Sequence, residues 1–384
     1  MRAHVDADAV VAATAALVAV DTQNPPGRER EAVAVARDLL APHGARFEEV
    51  EPAPGRTSLV ATIGAADGSR PVLLVNGHLD VVPVDRAGWR HDPFAAEVEG
   101  GRLYGRGTAD MKGGIAAAVE ALGALARAGR EPACDVVFHL VADEELGGGL
   151  GTAVLVAQGR ARADACLVPE PTGLAVCVAE RGLLTAVVTV TGRPAHGSEP
   201  GRGVSAVEKA AKVVLALHGA DFGGPAHPLL GRPSCNVGTI RGGSGHNVVA
   251  ASCRLEADRR LLPGVTRAAA EAELRARIDA VGDPELAYEL EAAVFGEASE
   301  LAPGHAFVGR VQAALTAVRG EPGAVIGMPF ATDARFVRNQ AGIPAVVCGP
   351  GELAQAHAHD EWVAVDALVD ATAVYAELYA TFAG

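Results

Sequence analysis

The chain has few aromatic residues, few lysines and no long apolar run, and these shortages narrow its possible functions. Aromatic residues make up 4% of the 384 residues, and we assign this composition no functional role. The formal charge of −14 argues against nucleic acid or an anionic membrane as the main partner, because phosphate contacts need clustered basic side chains. No apolar run approaches the length of a membrane span, and MRAHVDADAV does not read as a secretion signal. We therefore expect a cytoplasmic protein.

Several motifs of other enzyme classes are also missing. Neither G-x-G-x-x-G after a strand nor G-x-x-x-x-G-K-[ST] occurs, which argues against a nucleotide-dependent enzyme. The nearest approach to the serine-hydrolase motif G-x-S-x-G is GGSGH at 242–246, and it fails at its last position. The sequence contains no C-x-x-C pair, so neither a zinc finger nor a dithiol site is indicated. We expect most of the six scattered cysteines to be small buried hydrophobes.

The order of apolar segments predicts an α/β fold in two domains. Apolar residues make up 49% of the chain, which is ample for one large or two medium cores. Helical spacing occurs in the segments 6–20, 28–41 and 110–129, and apolar strands are predicted at 58–64, 71–76, 136–142 and 165–168. Continuous apolar strands are typical of a mostly parallel sheet that helices cover on both faces. We predict a catalytic domain at 1–177 and 292–384 with an inserted α+β domain at 178–291.

Three stretches place histidine and acidic side chains beside predicted strands or helices. VLLVNGHLDVVPVD carries His78 and Asp80, GRLYGRGTADMKGG carries Asp110, and VVFHLVADEELGGG carries Glu144 and Glu145. These residue types bind zinc or activate water. In an extended segment, the side chains of His78 and Asp80 project to the same side, so the aspartate can orient a metal-binding imidazole.

Each of these residues also has an ordinary structural interpretation. An isolated His-x-Asp is more often a solvated loop pair, and Asp110 at the start of a helix is a typical N-cap. Glu170, in LVPEPTG, has the ordinary role of a turn residue. Their common position after buried strands favours a ligand site, because such sites form beyond the carboxyl ends of strands in open α/β sheets. Converging carboxylates would repel one another unless a dication kept them ionised.

In combination, the motifs of this chain resemble those of one enzyme family. They are NGHLDVVP, WRHDPF leading to GRLYGRGTADMKGG, DEELGG, PEPTG, GRPAHGSEP and GPGELAQAHAHDEW. The chain resembles, over nearly its whole length, the dinuclear-zinc metallopeptidase and deacylase family that includes acetylornithine deacetylase, succinyl-diaminopimelate desuccinylase, aminoacylase-1 and glutamate carboxypeptidase. The pattern is most similar to that of acetylornithine deacetylase.

The resemblance implies a site for two Zn²⁺ ions per subunit, where Co²⁺ or Mn²⁺ can also work. The implied ligands are His78 and Glu170 for one ion, Glu145 and His357 for the other, and Asp110 bridging both. A dinuclear site of this kind lowers the pKa of a bound water to near 7. The resemblance therefore implies hydrolysis by a zinc-bridged water.

The resemblance also assigns roles beside the metal ions. Glu144 is implied as the general base that accepts the proton of the water. Asp80 resembles an aspartate that hydrogen-bonds the metal-bound histidine. His357 is preferred to His359 as the ligand because the family's histidine lies four residues before the glutamate of a D-E-aromatic element, here Glu361.

The inserted domain is expected to complete the site. His196 resembles a histidine that one subunit lends to the oxyanion region of the other, which implies a homodimer and closure of a lid over substrate. Asn247 and Arg260 resemble residues that bind the carboxylate of the substrate. Arg259 stands where the acetylornithine deacetylase pattern has an apolar residue, and we expect it to point away from Arg260. If both arginines faced the pocket, a more acidic substrate would be favoured.

The sequence therefore predicts metal-dependent hydrolysis of the amide bond of an N-acyl L-amino acid. Desuccinylation of succinyl-diaminopimelate and dipeptidase or carboxypeptidase activity are the alternatives within the hydrolases. A catalytically inactive binding protein of the same fold is the alternative from another class. Of the histidines that are not assigned to the site, His139 lies inside an apolar strand, where we expect a hydrogen-bonded core group.

Overall fold

The computed structural model describes residues 1–383. These residues form two compact units. The first unit comprises Met1–Val178, Leu301–Ile326 and the residues from Thr332 onward. The second unit comprises Ala179–Glu300 and Gly327–Ala331. The inserted domain predicted at 178–291 covers most of the second unit.

The described chain contains both helices and strands throughout its length. The α-helices are α1 Ala7–Val18, α2 Glu29–Leu40, α3 Lys112–Arg127, α4 Thr152–Ala157, α5 Ala206–Leu217, α6 Arg267–Asp279, α7 Ala306–Arg319, α8 Ala334–Asn339 and α9 Val365–Thr381. The strands are β1 Arg46–Ala53, β2 Arg56–Ile63, β3 Val72–His78, β4 Glu97–Glu99, β5 Arg102–Tyr104, β6 Asp135–Val141, β7 Ala165–Pro171, β8 Val176–Glu180, β9 Gly182–Thr191, β10 Ser234–Gly242, β11 Ser252–Leu261, β12 Ala287–Gly296, β13 Ser299–Glu300, β14 Val325–Met328, β15 Ala345–Gly349 and β16 Trp362–Ala364.

A mainly parallel sheet forms the centre of the first unit. Its strands run in the order β1-β2-β6-β3-β7-β15-β8, and the four central strands β6, β3, β7 and β15 are parallel to their neighbours within that group. All seven residues of β6 are buried, as expected for a strand covered on both faces. The prediction of an α/β fold with a mostly parallel sheet is confirmed.

Strand β7 is longer than the sequence predicts. The sequence predicts an apolar strand at 165–168 only. Proline cannot donate a ladder hydrogen bond and is normally excluded from a central strand. In the structure β7 continues through Pro171, and its pairing with β15 shifts register between Val347 and Gly349, opposite the end of this segment. A local irregularity therefore accommodates the prolines, and Glu170 lies within the strand rather than in a turn.

Helix α3 packs closely against β3 and β7, and glycine permits this approach. A Cβ atom on Gly114 would lie 2.1 Å from the carbonyl oxygen of Pro169, well inside contact distance. Only glycine fits there without moving either backbone. The first turn of α3 is therefore held against the strand that carries Glu170.

The second unit is built on an antiparallel sheet with strand order β10-β11-β9-β12. Helices α5 and α6 pack on this sheet, and their apolar residues share one core with alternate residues of the strands. Strand β12 pairs with β9 from Ala287 to Gly296, so the predicted boundary at residue 291 falls inside a strand of this sheet.

All six cysteines are buried, in agreement with the prediction. No helix within residues 1–383 is long and apolar enough to cross a membrane.

His139 is a core residue, but the expectation that it is hydrogen-bonded is wrong. It lies in the middle of β6 with no exposed surface, and neither ring nitrogen has a hydrogen-bond partner among the described residues. Desolvation and the positive charge of Arg160 lower the pKa of His139 to about 4. The strand therefore holds a neutral imidazole at physiological pH.

This histidine is expected to make the fold sensitive to acid. In the unfolded chain the pKa of histidine is about 6.5, so between pH 6.5 and pH 4 the unfolded state binds a proton that the folded state excludes. The resulting stability is present above pH 6.5 and is lost as the pH falls toward 4, with a total of about 3 kcal/mol.

Urea unfolding of the chelator-treated protein at pH 7.5 and pH 4.5 measures this loss. The variant His139→Leu should lose about 2 to 3 kcal/mol less than the wild type over that interval. His4→Leu, which changes an exposed histidine, should behave as the wild type does. Equal losses in the wild type and His139→Leu would contradict the assignment.

Candidate metal centre

Three adjacent parallel strands bring three of the five predicted metal ligands to one edge of the central sheet. His78 is the last residue of β3, Glu145 follows β6 in a short 3-10 turn, and Glu170 lies near the end of β7. Because β6, β3 and β7 are neighbours in the sheet, these three side chains emerge close together. Asp110 precedes α3, and His357 lies in the loop between β15 and β16.

The five side chains form two overlapping groups. His78, Asp110 and Glu170 form one, and Asp110, Glu145 and His357 form the other, with the potential ligand atoms of each group all within 4.8 Å of one another. His78 Nε2 lies 3.0 Å from Asp110 Oδ1 and 3.5 Å from Glu170 Oε1. His357 Nε2 lies 3.4 Å from Asp110 Oδ2 and 3.1 Å from Glu145 Oε2. Asp110 thus presents one oxygen to each group.

The ring orientation of His78 suits a metal ligand. Its Nδ1 lies 2.9 Å from the carbonyl oxygen of Asp80, which can only accept a hydrogen bond, so Nδ1 is the protonated nitrogen. Nε2 faces Asp110 and Glu170 and is the ring nitrogen that can bind a metal ion together with these acids. The Asp80 carboxylate is farther from the ring, at 3.6 Å, and instead accepts hydrogen bonds from the backbone amides of Glu144 and Glu145, each at 3.2 Å.

A buried glutamate, Glu361, holds the loop before Asp110. The Glu361 carboxylate accepts hydrogen bonds from the backbone amides of Gly107, Ala109 and Asp110, and it pairs with Arg106 at 2.6 Å. Helix α3 begins at Lys112 with Met111 at its N-cap position, so Asp110 is not the cap residue. The structure therefore leaves the Asp110 carboxylate available to a ligand.

The electrostatics of the cluster favour a bound cation. Burial and the charge of Asp110 raise the pKa of Glu170 to about 8. Burial and Asp110 likewise raise the pKa of Glu145. Hydrogen bonds to Asp110 and Glu145 raise the pKa of His357 to about 10. Without a dication the cluster must retain protons, whereas a dication would hold the same carboxylates ionised.

Glu144 points into the same region without belonging to either group of potential ligands. Desolvation raises the pKa of Glu144 well above its usual range; the His78 imidazole opposes this shift, while the charges of Asp333 and Glu170 add to it. The turn that carries Glu144 begins at Asp143, whose φ of 73° is left-handed. Backbone strain of this kind is common at functional sites and needs support from surrounding contacts.

The remaining predicted site residues lie in the second unit. His196 and Asn247 are exposed and belong to paired loops, because Gly197 donates a backbone hydrogen bond of 2.7 Å to the carbonyl oxygen of Asn247. Arg260 lies near the opposite end of β11, where it pairs with Asp258 at 2.8 Å. At about 3.3 Å per residue, roughly 25 Å of strand separates Arg260 from the end nearest Asn247. This unit brings His196 and Asn247 together but not Arg260.

Arg259 and Arg260 point to opposite faces of β11, as the alternation of a strand requires. Arg259 is 1% exposed, pairs with Glu273 of α6 at 2.8 Å, and stacks on the ring of Phe222. It is part of the packing between the sheet and α6. The arrangement in which both arginines face one pocket does not occur.

Comparison with protein families and curated proteins gives results consistent with this geometry. Residues 74–381 match peptidase family M20/M25/M40. A succinyl-diaminopimelate desuccinylase of Methylobacterium sp. (strain 4-46) is 38% identical over 326 residues, which cover 81% of each chain. An acetylornithine deacetylase of Edwardsiella ictaluri (strain 93-146) is 31% identical over 361 residues, which cover 86% of this chain and 85% of that protein.

Solved structures show the same fold at lower sequence identity. Aminopeptidase PepT of Bacillus cereus superposes with a TM-score of 0.82 at 20% identity and covers 98% of both chains. The YXEP protein of Bacillus subtilis, a dinuclear metal-binding peptidase, superposes with a TM-score of 0.72 at 15% identity, covering 97% of both chains. The resemblance predicted from the motifs is confirmed. The chain belongs to peptidase family M20/M25/M40 and is a hydrolase of amide bonds.

Proposed function

We propose that this chain is a two-metal deacylase that hydrolyses the amide bond of an N-acyl L-amino acid. One observation carries the proposal: two groups of potential ligands share Asp110 at the carboxyl edge of the sheet. The donor set of two imidazoles and three carboxylates suits Zn²⁺, and Co²⁺ or Mn²⁺ can occupy such sites as well. In this proposal His78 and Glu170 would hold one ion, Glu145 and His357 would hold the second, and Asp110 would serve both, since it belongs to both groups.

When bound, two dications supply Lewis acidity and lower the pKa of a water molecule to near 7. The residues of the chain perform the proton transfers. Glu144 accepts a proton from the attacking water and then donates it to the departing amine, so no covalent intermediate is required. Asp80 accepts amide hydrogen bonds from Glu144 and Glu145 and thereby fixes the turn that presents the general base.

The acyl group is proposed to be acetyl, on an amino acid similar to ornithine, because the motif pattern is most similar to that of acetylornithine deacetylase. Arg259 lends no support to a more acidic substrate, since it is packed against Phe222 and Glu273. Desuccinylation is the second candidate, and the 38% identity to a succinyl-diaminopimelate desuccinylase favours it.

A hydrolysis panel with the zinc- or cobalt-loaded protein tests the proposal. The panel contains N-acetyl-ornithine, other N-acetyl amino acids, N-succinyl-diaminopimelate and dipeptides. We expect the highest kcat/KM for an N-acetyl amino acid. A preference for the succinyl substrate would select the second candidate, and bound metal without hydrolysis of any compound would indicate an inactive binding protein.

We also propose that the enzyme is a cytoplasmic homodimer in which substrate meets residues of both subunits. Arg260 lies roughly 25 Å from the His196 and Asn247 loops along β11, so one second unit cannot present all three side chains to one small substrate. A second copy that supplies His196 and Asn247 would remove this difficulty. The substrate carboxylate would then meet Arg260 of one subunit and Asn247 of the other.

Two inactive variants test the sharing of the site between subunits. His196→Ala and Glu144→Gln are each expected to be nearly inactive alone, because one lacks the oxyanion donor and the other the general base. After mixing and exchange of subunits, one of the two sites in a mixed dimer contains both intact residues, so up to about a quarter of wild-type activity should return. Mixed samples that form dimers but stay inactive would contradict the proposal.

A further inference from the structure

We infer that Asn24, in the segment QNPPG at residues 23–27, is a positioning residue of the metal centre that acts through the Asp80 carboxylate. The sequence indicates only a turn for this segment, and the proposed reaction gives it no role. The inference rests on the proposed two-metal function, because Asp80 links the strand end of His78 to the turn of Glu144 and Glu145.

The contacts of Asn24 are those of a hydrogen-bond donor to acids. Asn24 is 1% exposed, and its Nδ2 donates to Asp80 Oδ2 at 2.8 Å and to Asp143 Oδ1 at 3.3 Å. Carboxylate oxygens accept hydrogen bonds, so these two partners fix the orientation of the amide. The other amide atom, Oδ1, has no hydrogen-bond partner within the described residues. The Asn24 side chain thus donates hydrogen bonds to Asp80 and Asp143, while its own acceptor oxygen has no partner among the described residues.

The backbone holds Asn24 in this position. Its amide donates to the carbonyl oxygen of Val81 at 2.8 Å, and the amide of Val81 donates to Thr22 at 3.1 Å. The Thr22 hydroxyl donates to the carbonyl oxygen of Leu79 at 2.6 Å. The segment before the prolines is therefore tied to the residues on both sides of Asp80.

A buried ion-pair network supports the same arrangement from the other side. Arg56 binds both carboxylate oxygens of Glu29, at 2.9 and 3.0 Å, and also binds Asp143 Oδ1 at 3.0 Å. Asp143 is the left-handed residue that starts the turn of Glu144. Asn24 is the link that joins this network to Asp80, since its Nδ2 contacts both Asp143 and Asp80.

Loss of the Asn24 donor should therefore loosen Asp80 and, through it, both His78 and the Glu144 turn. Substitution of residues that orient metal ligands typically costs 10- to 100-fold in metal affinity or activity. We expect Asn24→Ala to lower kcat by roughly 10- to 100-fold with little change in KM, and to weaken zinc binding by roughly 10-fold. The isosteric Asn24→Asp, which places a third acid beside two carboxylates, should lose at least as much.

The experiment compares kcat, KM and zinc affinity by chelator competition in four proteins: wild type, Asn24→Ala, Asn24→Asp and Gln23→Ala. Gln23, the residue before Asn24, is the matched control. Its side chain binds the carboxylate of Asp21 and the backbone amide of Val84, and it makes no hydrogen bond to Asp80. Gln23→Ala should match the wild type in all three quantities. The zinc measurement uses no substrate, so it tests Asn24 even if the proposed substrates are not hydrolysed.

A double-mutant cycle with Asp80→Asn separates positioning from a purely structural role. If Asn24 acts through Asp80, Asn24→Ala should change kcat and zinc affinity by less than about 3-fold in the Asp80→Asn background. The inference is overturned by equal fold-losses in both backgrounds, or by wild-type kcat and zinc affinity in Asn24→Ala. Full retention of zinc affinity and kcat by Asn24→Asp would also overturn it, since shape alone would then suffice.

Discussion

Glu144→Gln is expected to lower kcat by roughly 10²- to 10⁴-fold while the protein still binds two metal ions per chain. The amide has nearly the shape of the carboxylate but cannot accept the proton of the attacking water. Glu144 belongs to neither group of potential metal ligands, so its substitution should leave both groups intact. Steady-state kinetics and metal analysis of the same sample measure the two quantities.

The neighbouring residue provides the matched control. Glu145 Oε2 lies 3.1 Å from His357 Nε2 in the second group, so Glu145→Gln should release one of the two ions. The same substitution is therefore expected to leave the metal content unchanged at residue 144 and to lower it by one ion at residue 145. Near-normal kcat in Glu144→Gln would remove this residue from the role of general base, and loss of metal from it would make it a ligand.

Asp110→Ala is expected to abolish activity and to reduce the metal content from two ions per chain to none. Asp110 is the residue common to both groups, with one oxygen directed to His78 and the other to His357. Its removal also leaves Glu170 and Glu145 without the ion that would hold them ionised. Elemental analysis after dialysis against a weak chelator measures the number of ions retained.

Single-group variants are the controls for the shared ligand. His78→Ala changes only the first group and His357→Ala only the second, so each variant should lose one ion and retain the other. If Asp110→Ala retained one ion with wild-type affinity, the two groups would not share a bridging ligand.

The sequence indicates four of the five ligand candidates, because each of these four stands beside a strand or helix whose apolar pattern can be recognised. His78, Glu145 and Glu170 end or follow apolar strands, and adjacent parallel strands must bring their carboxyl ends to one edge. His357 follows no such pattern and was identified only through the resemblance. The roles of His196, Asn247 and Arg260 stay predictions for the same reason.

What the sequence could not indicate depends on contacts between distant segments. Glu361 and Asn24 stand in the motifs DEW and QNPPG, yet their partners lie far along the chain, at Arg106 and Asp80. The periodicity of apolar residues does not indicate which carboxylate forms a hydrogen bond or an ion pair with which distant residue. His139 shows the opposite case, in which local pattern placed the residue correctly in the core but could not show that its ring lacks a partner.

The proposed ligands His78 and His357 are the first and the last of the set along the chain. A ribosome that adds about 5–20 residues per second needs roughly 15 to 60 s to make the segment between them. Between the synthesis of Glu170 and that of His357, the nascent chain has His78, Asp110 and Glu170 but no complete second group. If the proposed ligand set is correct, hydrolytic activity is expected only after the loop that follows β15 has been synthesised and folded.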